Sequence, residues 1–199
     1  MTTSDASHPT VRGCLVYVMG PSGAGKDAVI TGAREKLEHN GARRQVYFSR
    51  RHVTRPDAAA REISLTEEEF THYKRNGLFA LDWQAHGLHY GVSRIIDSHL
   101  AAGKSVVVNG SRAYMREALV RYPAMLAVLI TVPPKLALMR MQSRARETQA
   151  EIDQRLARAP QLDADSAWLV TIDNSGPLED AVNALTELLQ NECVCDATS

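Results

Sequence analysis

The chain is poor in cysteine and in net charge, and each shortage removes a class of protein. Its 199 residues include three cysteines, Cys14, Cys193 and Cys195, two of them in a polar tail. An odd number without clustered histidines makes neither a disulfide framework nor a zinc site. Lys+Arg and Asp+Glu are both 23, so the formal net charge is zero. General binders of nucleic acid or anionic membranes carry a basic excess, and none is present. The longest apolar stretch, Ala124 to Val132, stops at Pro133-Pro134, far short of the roughly 20 residues a bilayer requires. Met1 to Thr10 lacks the apolar region of a secretory signal. What is present, 44% hydrophobic and 23% charged residues, is enough for one buried core. These features lead us to expect a soluble cytoplasmic protein, monomer or homodimer, without nucleic-acid or membrane partners.

Apolar runs alternate with helical patterns along the chain. Strands are expected at Cys14 to Met19, Gln45 to Phe48, Ser105 to Asn109, Met125 to Val132 and Trp168 to Ile172. Helices are expected from Lys26 to about His39, over Ala113 to Arg121, from Lys135 to about Leu162, and from Leu178 to Gln190. Thr66-Glu67-Glu68-Glu69 reads as a capping box opening a helix that ends near Asn76-Gly77. Leu78 to Tyr90 reads as two strands around a turn at His86-Gly87, and Ser93 as the cap of a helix ending at Gly103. Arg51 to Arg61 reads as a polar loop. This order implies a three-layer α/β fold with a parallel central sheet. Residues 1–12 form a leader, 13–192 one domain and 193–199 a tail. Within the domain, about 45–92 form an insertion and about 135–160 an Arg-rich lid.

The strongest motif is Gly20-Pro21-Ser22-Gly23-Ala24-Gly25-Lys26 between a strand and a helix. Its glycines let backbone N–H groups curl around phosphate oxygens, the helix N-terminus adds its positive end, and Lys26 reaches the terminal phosphates. A nucleotide, ATP with Mg2+, is the expected ligand. Position 27 departs from the motif: Asp27 stands where a Ser or Thr usually holds magnesium, and Asn109 ends a strand where an acid is common. The negative charge would have moved from the strand end to the loop, making Asp27 the metal ligand. Arg144 and Arg146 would neutralise the transferring phosphoryl group, with Arg155 on the acceptor; Arg140 is grouped with the nucleotide.

From Leu15 to Leu189 the sequence resembles the guanylate-kinase family. The resemblance rests on residues 20–26, His-Val-Thr-Arg (52–55), Tyr-Gly-Val-Ser-Arg (90–94) and Val-Pro-Pro (132–134) with the Arg-rich segment after it. It implies that the insertion binds a phosphate acceptor, with Arg55 and Arg94 at phosphate-binding positions, and that Asn174 lies at the ATP adenine. The guanine-reading positions do not match: Glu62, Leu81 and His89 stand there. The substitutions are similar to those of the family's branch that phosphorylates the 1-phosphate of ribose 1,5-bisphosphate, giving phosphoribosyl diphosphate and ADP. Arg51, Arg55, Arg94 and Arg112 would clamp phosphate, and His86, His89 and Asn109 would hydrogen-bond ribose hydroxyls, with Tyr90 also in the sugar-phosphate site. A nucleoside-monophosphate kinase and a non-catalytic binding module of the same fold are the alternatives.

Overall fold

The computed structural model describes residues 13–39, 46–57, 61–142 and 169–191. Five strands form a parallel sheet: β1 (Leu15–Met19), β2 (Val46–Phe48), β7 (Ser105–Asn109), β8 (Leu126–Thr131) and β9 (Leu169–Asp173). Their spatial order is β2-β7-β1-β8-β9. Every residue of β1 and β7 is buried, as expected of parallel strands covered on both faces. The pleat of β1 divides the core in two. Val16 and Val18 pack with Val29, Ala33 and Leu185 on one side, and Leu15, Tyr17 and Met19 with Ile96, Met115 and Leu81 on the other. Helices α1 (Lys26–His39) and α6 (Leu178–Asn191) cover the first face. Helices α3 (Ile95–Ala101) and α4 (Met115–Arg121) serve the second. Helix α5 (Pro134–Gln142) follows β8. The sheet ends bring Gly20, Asn109 and Asn174 to one edge, where such folds bind ligands.

A second sheet is inserted between β2 and β7. It holds β3 (Arg51–Val53), β4 (Glu62–Ser64), β5 (Phe79–Ala85) and β6 (Leu88–Ser93), in the order β4-β3-β6-β5. The segment expected as a polar loop from Arg51 is therefore a strand at its start. Its charged sequence gives no strand signal, but His52 and Val53 are buried between β4 and β6. Tertiary pairing overrides local pattern here. Helix α2 (Glu67–Arg75) begins with the expected capping box, Thr66 and Glu69 bonding reciprocally. Ser93 is the last residue of β6, and Arg94 takes the N-cap position of α3 without a side-chain bond. The Ser93 hydroxyl still accepts from the Ile95 N–H at 3.3 Å.

His52 gives this small sheet a pH dependence. Its ring lies 5.4 Å from Phe79 and 5.6 Å from Tyr73, and Nδ1 has no hydrogen-bond partner among the described residues. Burial holds its pKa below the ordinary 6.5; a backbone contact with Gly91 partly offsets this, and Arg50 adds to it. The folded state thus favours the neutral ring. That stability is fully present above pH 6.5 and is lost as pH falls from there toward the lower folded value. The melting temperature is expected to fall between pH 7.5 and 5.5, about pH 6.5 being where a free imidazole titrates. His52→Phe should flatten the slope; His99, also held low by burial, leaves a residue of it. An unchanged slope in the variant would contradict the assignment.

Candidate active site

The phosphate loop is locked from three sides. Gly23 and Gly25 adopt φ of 78° and 82°, which side chains rarely tolerate. A Cβ on Gly23 would meet the Ala137 carbonyl of α5 at 2.5 Å, and one on Gly25 would meet Asn174 Nδ2 at 2.5 Å. Asn174 is buried and donates from Nδ2 to the Ala24 carbonyl at 2.7 Å. In this structure its side chain thus braces the loop. Arg140 Nη1 would lie 3.8 Å from the same Gly25 Cβ, so the residue flanks the loop. Lys26 Nζ donates to the Gly20 and Pro21 carbonyls at 2.9 and 3.1 Å. Those carbonyls hold the ammonium at the loop, within reach of a phosphate cradled there.

Asp27 and Asn109, suspected of sharing one task, are in contact: Asn109 Nδ2 donates to Asp27 Oδ1 at 2.6 Å. Asn109 Oδ1 is buried without a hydrogen-bond partner among the described residues. A carboxylate and an amide oxygen beside a phosphate loop suit magnesium, a hard cation that takes one or two protein ligands plus substrate phosphates. Among the described residues there is no group of three His, Cys, Asp or Glu that could hold a metal ion. The end of β7 is fixed from below. Tyr17 donates to the Ser111 carbonyl and accepts from the Ser111 N–H, each at 2.9 Å, and its ring fills the space a side chain on Gly110 would need. Burial raises the Tyr17 pKa, so the phenol keeps its proton and this bond.

Facing the loop across a cleft of about 730 Å³ are Ser49, Arg51, Arg55, Arg61, Glu62, His86 and Tyr90. Glu62 joins two of these arginines. Its Oε1 accepts from Arg51 Nη2 at 2.8 Å, its Oε2 accepts from Arg55 Nη2, and its backbone carbonyl accepts from Arg50 at 2.7 Å. The Arg51 guanidinium also lies 5.5 Å over the Tyr90 ring and 3.9 Å from Asp27 Oδ1, so it spans the two sides. Arg55 Nε is buried without a partner among the described residues. Tyr90 is itself stacked on Trp83, which is stacked on Tyr114, so the tryptophan is packing.

Other expected site residues fall elsewhere. Arg94 lies outside the cleft lining, largely exposed and 3.6 Å from Asp97. It sits four residues beyond Tyr90, about 13 Å further along an extended chain. The His89 side chain is also outside the lining: its ring stands 5.3 Å from Phe70, with Nε2 3.7 Å from Glu67. Its backbone is what ties β6 to Thr54. Arg112, on the 3-10 turn Arg112–Tyr114, is half-buried and outside the lining, and burial lowers its pKa. Arg144, Arg146 and Arg155 lie outside the described residues. Sequence reasoning missed Arg61, which donates to the Asp27 carbonyl at 3.4 Å. It also missed the ion-pairing role of Glu62. The signal was the Arg61-Glu62 pair closing the loop after Arg55.

A phosphate loop that opens onto a row of guanidiniums is built to pass a phosphoryl group between two anionic substrates, which makes this molecule a P-loop kinase. No family model matches the chain. It is 44% identical over 177 residues to the ribose 1,5-bisphosphate phosphokinase PhnN of Desulfomicrobium baculatum, a match covering 88% of this chain and 93% of that protein. The protein of the same description from Thiobacillus denitrificans is 42% identical over 182 residues, 90% of this chain and 94% of its own length. The chain belongs to the ribose 1,5-bisphosphate phosphokinase family. Its fold is similar to that of a guanylate kinase from Anaplasma phagocytophilum, with a TM-score of 0.62 at 15% identity over 93% of this chain and 90% of that one. A sugar kinase from Janibacter sp. gives a TM-score of 0.54 at 19% identity, over 93% and 97%. Among the described residues no helix is long and apolar enough to cross a membrane.

Proposed function

We propose that this chain transfers the γ-phosphoryl group of ATP to the 1-phosphate of ribose 1,5-bisphosphate, giving 5-phospho-α-D-ribose 1-diphosphate and ADP. Family membership supports the reading, and one structural observation carries it. The side of the cleft facing the phosphate loop offers guanidiniums gathered on Glu62. Leu81, where a base-reading acid would stand, is 1% exposed and packed in the core. Such a site is suited to reading phosphates.

The bond from the γ-phosphorus to the ADP oxygen breaks, and a bond to an oxygen of the sugar 1-phosphate forms. The acceptor is already an anion, so the protein supplies no strong base; it positions and neutralises. The phosphate loop and Lys26 hold the ATP phosphates, while Asp27 with Asn109 would hold magnesium, which when bound offsets charge on the phosphates. Arg51 and Arg55 hold the acceptor. Arg144 and Arg146 would neutralise the transferring group and Arg155 would contact the acceptor. Phosphorus NMR of the product tests the reading. A coupled pair of diphosphate resonances at the anomeric position is expected. A new monoester resonance on another hydroxyl would overturn it.

A further inference from the structure

A carboxylate among arginines meant for a phosphate is unexpected, because it competes for the same N–H donors. Glu62 is nevertheless fixed there by the fold. It pairs in register with Arg51 on the neighbouring parallel strand, so the two side chains share a face of the sheet. Arg50 holds its backbone carbonyl. Its side chain is 6% exposed, and a carboxylate so far from water is costly unless cations stay on it. It is therefore held in place when an acceptor enters.

We propose that Glu62 is the positioning residue of the acceptor site: its carboxylate sets Arg51 and Arg55 apart and in orientation for the acceptor phosphate. This rests on the reading of those two arginines as the acceptor clamp. A carboxylate cannot donate a hydrogen bond to a phosphate, so Glu62 acts only through the cations it holds. It occupies Nη2 of each guanidinium, and each guanidinium has further donors for a ligand. Two like charges left without this anion would separate. The next anion for Arg51 is Asp27, 3.9 Å from its Nη2, so the clamp would open toward the phosphate loop.

The test varies ribose 1,5-bisphosphate at saturating ATP and magnesium in the full-length wild type, Glu62→Gln, Glu62→Asp, Arg51→Ala and Arg55→Ala. Each arginine variant is expected to raise the acceptor KM by about tenfold or more, as loss of a charge-assisted contact does. Glu62→Gln should raise it by about tenfold too, with the KM for ATP unchanged, because the amide no longer holds two cations. Glu62→Asp keeps the charge on a shorter arm, reaches one arginine, and should fall between. It also provides the answer if Glu62→Gln does not fold. Raised KM in both arginine variants with Glu62→Gln and Glu62→Asp within twofold of wild type, or below it, would overturn the inference alone. Unchanged KM in Arg51→Ala and Arg55→Ala would overturn the clamp and the inference together.

Discussion

Lys26→Ala is expected to lower kcat by about 10²–10³-fold, the usual cost of removing one preorganised charge from a transferring group, while the protein stays folded. Lys26 is the first residue of α1, and its ammonium bonds to the Gly20 and Pro21 carbonyls. Its removal therefore leaves the packing of Val29, Ile30, Ala33 and Leu37 intact. What is lost is the cation that follows charge from the γ-phosphate to the leaving oxygen. The measurement is kcat by ADP release beside the melting temperature of wild type and variant. A kcat within threefold of wild type would remove Lys26 from the chemistry.

The second large effect is at position 27. Asp27→Ser is expected to lower turnover by about 10²-fold at fixed magnesium, because the pair with Asn109 then contains no anion to hold a hard cation. Asp27 Oδ1 and Asn109 Nδ2 are 2.6 Å apart, so a charge placed on either side chain serves almost the same point in the cleft. The double variant Asp27→Ser, Asn109→Asp should consequently recover much of the loss and require less magnesium than the single variant. A magnesium titration of turnover in the three proteins measures this. Turnover and magnesium dependence unchanged in Asp27→Ser would show that the carboxylate only favours the first turn of α1.

The parts of the site legible in the sequence are those made by contiguous residues. Gly20 to Lys26 carry their own conformational requirements, and the runs Leu15–Met19 and Ser105–Asn109 declare strands buried on both faces. The Asp27–Asn109 pairing could be suspected because two departures from one motif compensate in charge. Arg51 and Arg55 could be named as phosphate ligands from the sequence, but the strand that carries Arg51 and the carboxylate of Glu62 that joins the two were not legible. Whether Arg51, His52 and Val53 form a strand depends on Glu62–Ser64 on one side and Tyr90–Val92 on the other, which no local pattern in a basic segment reveals. Asn174 shows the same limit. The resemblance put it at the adenine; what the sequence does not reveal is that its side chain reaches Ala24, 150 residues earlier, to brace the phosphate loop. Arg94 matched a motif by spacing, and the length of β6 carries it away from the cleft.

The central claim is that the acceptor is read by its phosphates and not by a base. ADP release with ATP and magnesium, run in parallel with ribose 1,5-bisphosphate, with GMP and without acceptor, tests it most directly. The account predicts turnover with the bisphosphate and background rates in the other two. Strong turnover with GMP would contradict it, since Leu81 is packed in the core and the Glu62 carboxylate is held by Arg51 and Arg55.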